Sequence, residues 1–206
     1  MSIRELLFRS IEKEMYHDII ESLITALEAK DFYTKGHSER VAFMSHEISK
    51  ELGIKGRELE NIHIAAHLHD IGKIGVPDII LNKKDELLPH EWEYIKMHPK
   101  IGFDILSKSK KLKSISRIVY YHHERWDGKG YPSGIASTSI PLGSRIIAVC
   151  DSIDAMTSNR PYRDAMSFEE CIKEVLLNKG LMFDPVIVEY IQDNLQFMRE
   201  LISIKN

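Results

Sequence analysis

Apolar residues recur at helical spacing along most of this 206-residue chain, and no other feature constrains the fold as strongly. From Ile11 to about Ala29 they lie three or four residues apart, as they do along one face of an α-helix. Runs in which apolar and polar residues alternate, the sign of half-buried strands, are scarce. The pattern therefore predicts an all-α fold, and the length favours a single domain.

Local signals predict where the other helices begin and end. Ser167 with Glu170 three residues later forms a capping box, and Asp184 before Pro185 is an N-cap that opens a final helix. The glycine- and proline-containing segment 124–142 predicts an ordered loop. The remaining helices are expected from Gly36 to Gly53, Arg57 to His69, Pro89 through Ile105, Lys111 to His122, and Ile146 to Met156.

Composition excludes several classes of protein. A formal net charge of −3 argues against a protein that binds DNA or RNA duplexes, since such proteins usually carry a basic excess. The sequence has neither the roughly 20-residue apolar run of a membrane span nor a signal peptide, so no membrane insertion is expected. Cys150 and Cys171 are not spaced as metal ligands and have apolar neighbours, which is typical of buried thiols in a reducing compartment. A cytoplasmic location is therefore expected.

His69 and Asp70 are adjacent near the end of an apolar helix, where they offer one imidazole and one carboxylate. Burying an aspartate among apolar residues is costly unless a cation or hydrogen bonds compensate its charge. Gly72 then interrupts the helix, and Lys73 brings a positive charge nearby. A single His-Asp pair is nevertheless common by chance.

Other histidines and aspartates strengthen the hypothesis of a metal site in a chain with ten histidines. Mixed imidazole and carboxylate ligands suit iron, manganese, zinc or nickel. Each residue taken alone also has an ordinary interpretation, as a helix cap, a surface group or an ion-pair partner. His63 and His67 have the i, i+4 spacing of a metal pair, although packing is the simpler interpretation. The candidate ligands beside His69 and Asp70 are His37, His98, His122, His123 and Asp151.

Several ordered motifs together resemble the HD-GYP family, a branch of the HD-domain metal-dependent phosphohydrolases. They are His69-Asp70 with Gly72-Lys73, the run from His122 to Pro132, and the blocks 33–38, 74–78, 160–163 and 183–185. The resemblance covers about Ala26 to Ile191. It implies an HD-domain helical bundle at residues 21–206 with a metal site in its core and an ordered GYP loop. Residues 1–20 would then form an N-terminal helical extension.

The resemblance implies hydrolysis of cyclic di-GMP to linear pGpG, and in some members to GMP. A hydroxide that bridges two metal ions would attack the phosphodiester. Carried over by motif, one ion would be held by His37, His69, Asp70 and Asp151. Asp70 would bridge to a second ion, held also by His98, His122 and His123.

The same resemblance makes Asp70 and Lys73 the candidate catalytic residues, with Lys73 facing a substrate phosphate. Residues expected on the substrate side are Tyr131, Arg160, Arg163 and Asp154, the last of which would support the site.

One departure from the family pattern bears on the metal count. Some members have a glutamate where this chain has Tyr33, and that glutamate helps to hold a third ion. Two divalent ions are therefore expected, iron or manganese, with nickel or zinc as alternatives.

Alternative functions are a phosphodiesterase for another cyclic nucleotide or dinucleotide, or a catalytically weak sensor of cyclic di-GMP that acts through a protein partner. The expected partners are a homodimer, formed through Leu6, Leu7 and Ile11, or an upstream sensory or receiver domain.

Overall fold

A computed structural model describes residues 18–31, 36–159 and 164–203, and the regular elements within these ranges are helices. The β-pairing found there is an isolated bridge between Lys179 and Phe183. The all-α prediction is therefore confirmed. The N-terminal extension up to residue 17, Tyr33, and Arg160 and Arg163 lie outside the described residues.

A 3-10 helix at Ile71–Gly75 separates α3 from α4, and a long loop separates α7 from α8. The α-helices are α1 (residues 18–28), α2 (His37–Glu51), α3 (Gly56–Leu68), α4 (Asp78–Leu81), α5 (Pro89–Lys96), α6 (His98–Leu106), α7 (Lys113–Tyr120), α8 (Leu142–Thr157), α9 (Phe168–Leu177), α10 (Pro185–Asp193) and α11 (Leu195–Ser203).

Helices α2, α3, α7 and α8 form the centre of the bundle, since α2 packs on α3 and α8 while α3 also packs on α7. Their apolar faces are removed from water, with Ile48, Ile62, Ile146 and Ile153 all fully buried. Burial of such side chains contributes roughly 1.5–3 kcal/mol each, so this core fixes the relative positions of the helix ends. Among the described residues, no helix is both long and apolar enough to cross a bilayer.

Both caps expected from the sequence are present. The Ser167 hydroxyl accepts a hydrogen bond from the Glu170 amide at 3.3 Å, and the Ser167 amide donates to the Glu170 carboxylate at 2.9 Å. Asp184 accepts from the Val186 amide at 2.9 Å. The prediction that the helix after Asp184 is the last one is wrong, because a short turn at Asn194 separates it from α11.

The single helix predicted from Pro89 through Ile105 is also wrong, because it breaks at Met97 into α5 and α6. Pro99 has no amide hydrogen and therefore cannot donate to the Ile95 carbonyl four residues earlier. The His98 ring takes over this bond, with Nδ1 2.7 Å from the Ile95 oxygen. The break thus places His98 at the start of α6 with its ring orientation fixed.

Gly72, in the 3-10 helix after α3, brings this segment into direct backbone contact with the start of α6. A Cβ atom at this position would overlap the His98 carbonyl oxygen and lie 2.5 Å from the Gly102 amide nitrogen. Glycine is required because any side chain would push the two segments apart. This contact holds His69 and Asp70, just before the crossing, beside His98.

We predict that Gly72→Ala lowers the free energy of unfolding by roughly 1–3 kcal/mol or more, the usual cost of overpacking, because the backbone must move. Denaturant unfolding measures the change. Gly53→Ala is the control, because its Cβ has no atom within 4 Å and it adds only the strain of a positive φ of 80°. Equal or smaller destabilisation by Gly72→Ala would contradict the importance of this contact.

Candidate metal centre

Two sets of donor atoms meet at Asp70 in the core of the bundle. One set comprises His37, His69 and Asp70, and the other comprises Asp70, His98, His122 and His123, with the donor atoms of each set within 4.8 Å of one another. Asp70 Oδ2 lies 3.5 Å from His69 Nε2, and Asp70 Oδ1 lies 3.3 Å from His98 Nε2. Donors about 2.1 Å from a shared ion lie roughly 3–4 Å apart, so both sets have the spacing of ligands.

Backbone carbonyls fix the tautomer of three of these histidines. The Nδ1 atoms of His69, His98 and His122 lie 2.7, 2.7 and 2.6 Å from the carbonyl oxygens of Ala66, Ile95 and Val119. Each Nδ1 must carry the hydrogen, because a carbonyl can only accept. Each Nε2 therefore presents a lone pair to the centre, as a metal-binding imidazole does.

The resulting arrangement requires a cation. The Nε2 atoms of His98 and His122 are 3.2 Å apart, so two lone pairs face each other and repel. His69 Nε2 is buried and has no hydrogen-bond partner. Unpaired buried acceptors are rare in native proteins because they cost desolvation free energy. Divalent ions at the two donor sets would satisfy all three atoms, and the residues therefore fit a divalent-metal site.

Burial keeps the three histidines of the second set neutral. It lowers the pKa of His98 to about 3. Burial likewise lowers the pKa of His122 well below its usual value, and that of His123. A metal ligand must be deprotonated, and these three imidazoles already are at neutral pH.

Carboxylates surround His37 on the opposite side of the centre. Nε2 of His37 is 3.3 Å from Asp151, and Nδ1 is 2.7 Å from Asp154. Burial opposes a charge on the ring, yet Asp151 and Asp154 raise the pKa of His37 to about 9. Arg40 holds Asp154 in place through bonds of 2.5 and 3.0 Å. Asp154 thus orients His37, while the negative potential on this side favours a cation.

Lys73 lies between two acidic groups, 2.7 Å from Asp70 and 3.1 Å from Asp31. Burial disfavours its charge, but Asp70 and Asp31 raise the pKa of Lys73 above its usual value, so the ammonium stays charged. Asp31 itself is buried. The lysine therefore provides a fixed positive charge at the edge of the metal centre.

The GYP loop, the segment 124–142 that contains Gly130, Tyr131 and Pro132, folds back over His123. A Cβ on Gly130 would lie 2.5 Å from both the His123 carbonyl oxygen and the Glu124 Cα, so only glycine allows the loop to approach this closely. The buried Glu124 carboxylate accepts hydrogen bonds from the amides of Ser133 at 2.6 Å and Gly134 at 3.1 Å. These contacts place the Tyr131 ring 4.8 Å from the His123 ring.

The far side of this loop is fixed to the connection between α9 and α10. The amides of Trp126 and Asp127 donate to the carbonyls of Met182 and Leu181 at 3.1 and 2.9 Å. Arg145 lies over the Trp126 ring at 5.8 Å and forms an ion pair with Asp184. The segment predicted as an ordered loop is therefore held by contacts with His123 and with the α9–α10 connection.

A cavity of about 950 Å³ opens beside the centre. The structure brings ten of the residues predicted as site residues to the centre or this cavity. They are His37, His69, Asp70, Lys73, His98, His122, His123, Tyr131, Asp151 and Asp154. His63 and His67 instead pack edge to face at 4.7 Å, in a separate group with His46 at 5.2 Å from His63.

Sequence reasoning missed Asp31, Arg40 and Glu124. Arg40 follows His37 by three residues, so the shared helix face was a usable signal. Asp31 pairs with a lysine 42 residues away, and no local pattern indicates that contact. Glu124 lies next to the paired histidines, but its role depends on a loop that returns nine and ten residues later.

Comparison with known proteins gives matches that agree with one another. The family model described as HD domain matches residues 21–187. The chain is 42% identical over 179 residues to a cyclic di-GMP phosphodiesterase of Thermotoga maritima, covering 86% of this chain and 49% of that protein. It is 34% identical over 195 residues to 3'3'-cGAMP-specific phosphodiesterase 2 of Vibrio cholerae, covering 94% of this chain and 37% of that protein. The chain thus spans half or less of the length of these relatives.

A solved structure has the same helical arrangement. It is that of a cyclic GMP-AMP specific phosphodiesterase of Vibrio cholerae, which superposes with a TM-score of 0.65 at 21% identity. The match covers 90% of this chain and 51% of that chain. At this identity the likeness supports the fold alone.

We predict that manganese raises the unfolding temperature of the protein relative to protein treated with a chelator. At a metal concentration 100 times the dissociation constant, binding stabilises by about 2.7 kcal/mol, or roughly 5–10 °C for a domain of this size. Calorimetry measures the shift. His122→Ala should reduce it, because the second donor set loses a ligand. The control His90→Ala, an exposed histidine on α5, should retain it. An undiminished shift in His122→Ala would contradict the site.

Proposed function

The chain belongs to the HD domain family, in its HD-GYP branch, and on that basis we propose that it is a metal-dependent phosphodiesterase that hydrolyses cyclic di-GMP. The proposed products are linear pGpG and GMP. The relatives are longer than this chain, and the parts of them that it does not span could regulate activity. A homodimer or a sensory or receiver partner stays a prediction.

The observation that carries the proposal is that the two carboxylate oxygens of Asp70 face different donor sets. Its Oδ2 faces His37 and His69 at 4.0 and 3.5 Å, while its Oδ1 faces His98 at 3.3 Å. A carboxylate with one oxygen on each side is what two neighbouring ions require. We therefore propose two divalent ions bridged by Asp70. The mixture of imidazoles and carboxylates favours iron or manganese, with nickel or zinc as alternatives.

His37, His69 and Asp151 would complete one ion's ligands, and His98, His122 and His123 those of the other. When bound, such ions supply Lewis acidity toward phosphoryl oxygens and lower the pKa of water. Lys73, whose Nζ is 2.7 Å from the shared carboxylate, would neutralise charge that develops on a non-bridging oxygen. Tyr131, beside His123, would help to seat the substrate at the second ion.

The cavity next to the centre supports a substrate larger than a simple phosphate ester. Its volume of about 950 Å³ is near the top of the range of roughly 300–1,000 Å³ for small-molecule sites. Lys73, Lys83 and Lys84 line it and suit an anionic ligand. Asp85 and Glu86 also line it, and a carboxylate can accept both donors on the Watson–Crick edge of guanine. These features favour a guanine-containing cyclic dinucleotide. Arg160 and Arg163, outside the described residues, stay predicted substrate contacts.

A second candidate substrate is 3'3'-cGAMP. The relative from Vibrio cholerae named for that substrate is 34% identical to this chain. This molecule also contains a guanine, and phosphate contacts are the same whichever base is attached. The two substrates are therefore distinguished by assay.

We expect anaerobically purified, iron- or manganese-loaded protein to convert cyclic di-GMP to pGpG or GMP, separated by chromatography alongside a metal assay. Asp70→Ala should abolish activity and remove most bound metal, because both ions lose a ligand. The same assay with 3'3'-cGAMP ranks the two substrates by kcat/KM. Full metal occupancy without turnover of either substrate would overturn the enzyme assignment and favour a sensor. Full metal content in Asp70→Ala would contradict the bridging role.

Lys73→Ala should behave differently, because the lysine is not a ligand. We expect metal content to be retained and kcat to fall roughly 100- to 1,000-fold, the usual cost of losing one electrostatic contact to the transition state. Lys50→Ala, which removes an exposed lysine that pairs with Glu47, is the matched control and should retain full activity. Unchanged kcat in Lys73→Ala would remove the lysine from the mechanism.

A further inference from the structure

The wall of the cavity formed by residues 80–95 contributes charged residues to the proposal above, but its apolar side chains have no role in it. It carries an apolar strip that includes Ile80, Leu87, Trp92 and Ile95. The Trp92 side chain is 46% exposed although it lies in the cavity. An exposed aromatic face with aliphatic neighbours in a concave site is typical of ligand recognition.

Helix α5 gives Trp92 a fixed position relative to the metal centre. Trp92 and Ile95 lie three residues apart and therefore share the face that lines the cavity. The Ile95 carbonyl accepts the hydrogen bond from Nδ1 of His98, which is part of the second donor set. The indole is thus connected to the metal centre by one helical turn and one hydrogen bond.

Two further contacts hold this wall in place. The Lys83 ammonium lies 2.6 Å from the Glu91 carboxylate, and the same carboxylate accepts a hydrogen bond from the Leu88 amide at 2.7 Å. Both contacts tie the segment before α5 to the first turn of the helix. Pro89 at the start of α5 adds a fixed φ angle. Trp92 is therefore presented on an anchored element.

We propose that this wall is a nucleobase subsite, with Trp92 as the stacking surface and Ile80 and Leu87 as its apolar surroundings. The inference rests on the proposed function and adds to it. A cyclic dinucleotide carries two bases on a ring of two riboses and two phosphates, so a phosphate at the metal centre leaves a base to be held elsewhere. The wall also carries charged residues at positions 83–86, but Trp92, Ile80 and Leu87 offer the apolar surface that a base requires.

The chain allows a direct spectroscopic test, because it contains two tryptophans, Trp92 and Trp126. In Trp126→Phe protein, Trp92 is the sole tryptophan and reports on its own surroundings. Cyclic di-GMP should quench its fluorescence, whereas inorganic phosphate should not. In Trp92→Phe protein, the fluorescence of Trp126 should change little on addition of the same nucleotide.

Binding and kinetics provide the second arm. Trp92→Ala should raise the Kd and KM for cyclic di-GMP roughly 5- to 100-fold, the range of base–aromatic stacking, with kcat and metal content little changed. Trp92→Phe should restore most of the affinity. Tyr94→Ala is the matched control, since this aromatic residue lies on the same helix, is 48% exposed and does not line the cavity. It should stay within about twofold of the unmodified protein.

The outcomes separate the two proposals. Intact binding of cyclic di-GMP with an unchanged Kd in Trp92→Ala, or a loss shared equally by Tyr94→Ala, would overturn the subsite alone. A protein that binds neither cyclic di-GMP nor 3'3'-cGAMP at full metal occupancy would overturn the proposed function, and the subsite with it.

Discussion

The buried carboxylate of Asp70 is the constraint on which the rest of the site depends. Only 4% of this residue is exposed, and an isolated charge at such a position is too costly to keep. Burial raises the pKa of Asp70, but the charges of Lys73 and the neighbouring histidines outweigh it and hold that pKa well below the usual value. The carboxylate thus stays ionised because Lys73 in the 3-10 helix and histidines from α2, α6 and the end of α3 gather around it. The need to compensate one buried charge therefore selects which helix ends must meet.

Local features of the backbone bring these helix ends together. At Gly72 the chain after α3 touches the backbone of α6, and at Pro99 the missing amide hydrogen breaks the helix and releases a carbonyl for the His98 ring. The imidazoles of His69 and His122 are likewise held by carbonyls three residues earlier. Each ring is therefore oriented by its own segment, and packing of the bundle brings the oriented rings together. A site built in this way is rigid before any ligand binds, as catalysis by electrostatic preorganisation requires.

How far the sequence predicts this structure depends on the range of each interaction. The all-α class, the caps at Ser167 and Asp184, and the His69-Asp70 pair could be predicted because their signals lie within a few residues. The break at Met97 could have been predicted from Pro99, but the apolar spacing across it outweighed the proline. The contacts of Lys73 with Asp31 and of Asp154 with Arg40 span 42 and 114 residues, so only the folded bundle reveals them. The prediction of six ligands around Asp70 came from resemblance to a family, since each histidine alone had an ordinary interpretation.

The metal side of the cavity and the wall formed by residues 80–95 differ in chemistry, and this difference bears on substrate choice. On the proposed function the metal side would contact phosphate, whose charge and shape are the same in every cyclic dinucleotide, so its residues would not distinguish the bases. Discrimination must come from groups that reach the bases, and a stacking surface such as Trp92 tolerates any of them because each base has a π-face. On the proposed function, hydrogen-bonding groups on the same wall, such as Asp85 and Glu86, would supply the preference for guanine. A change of substrate would then come from changes in the segment before α5 while the centre around Asp70 stays intact.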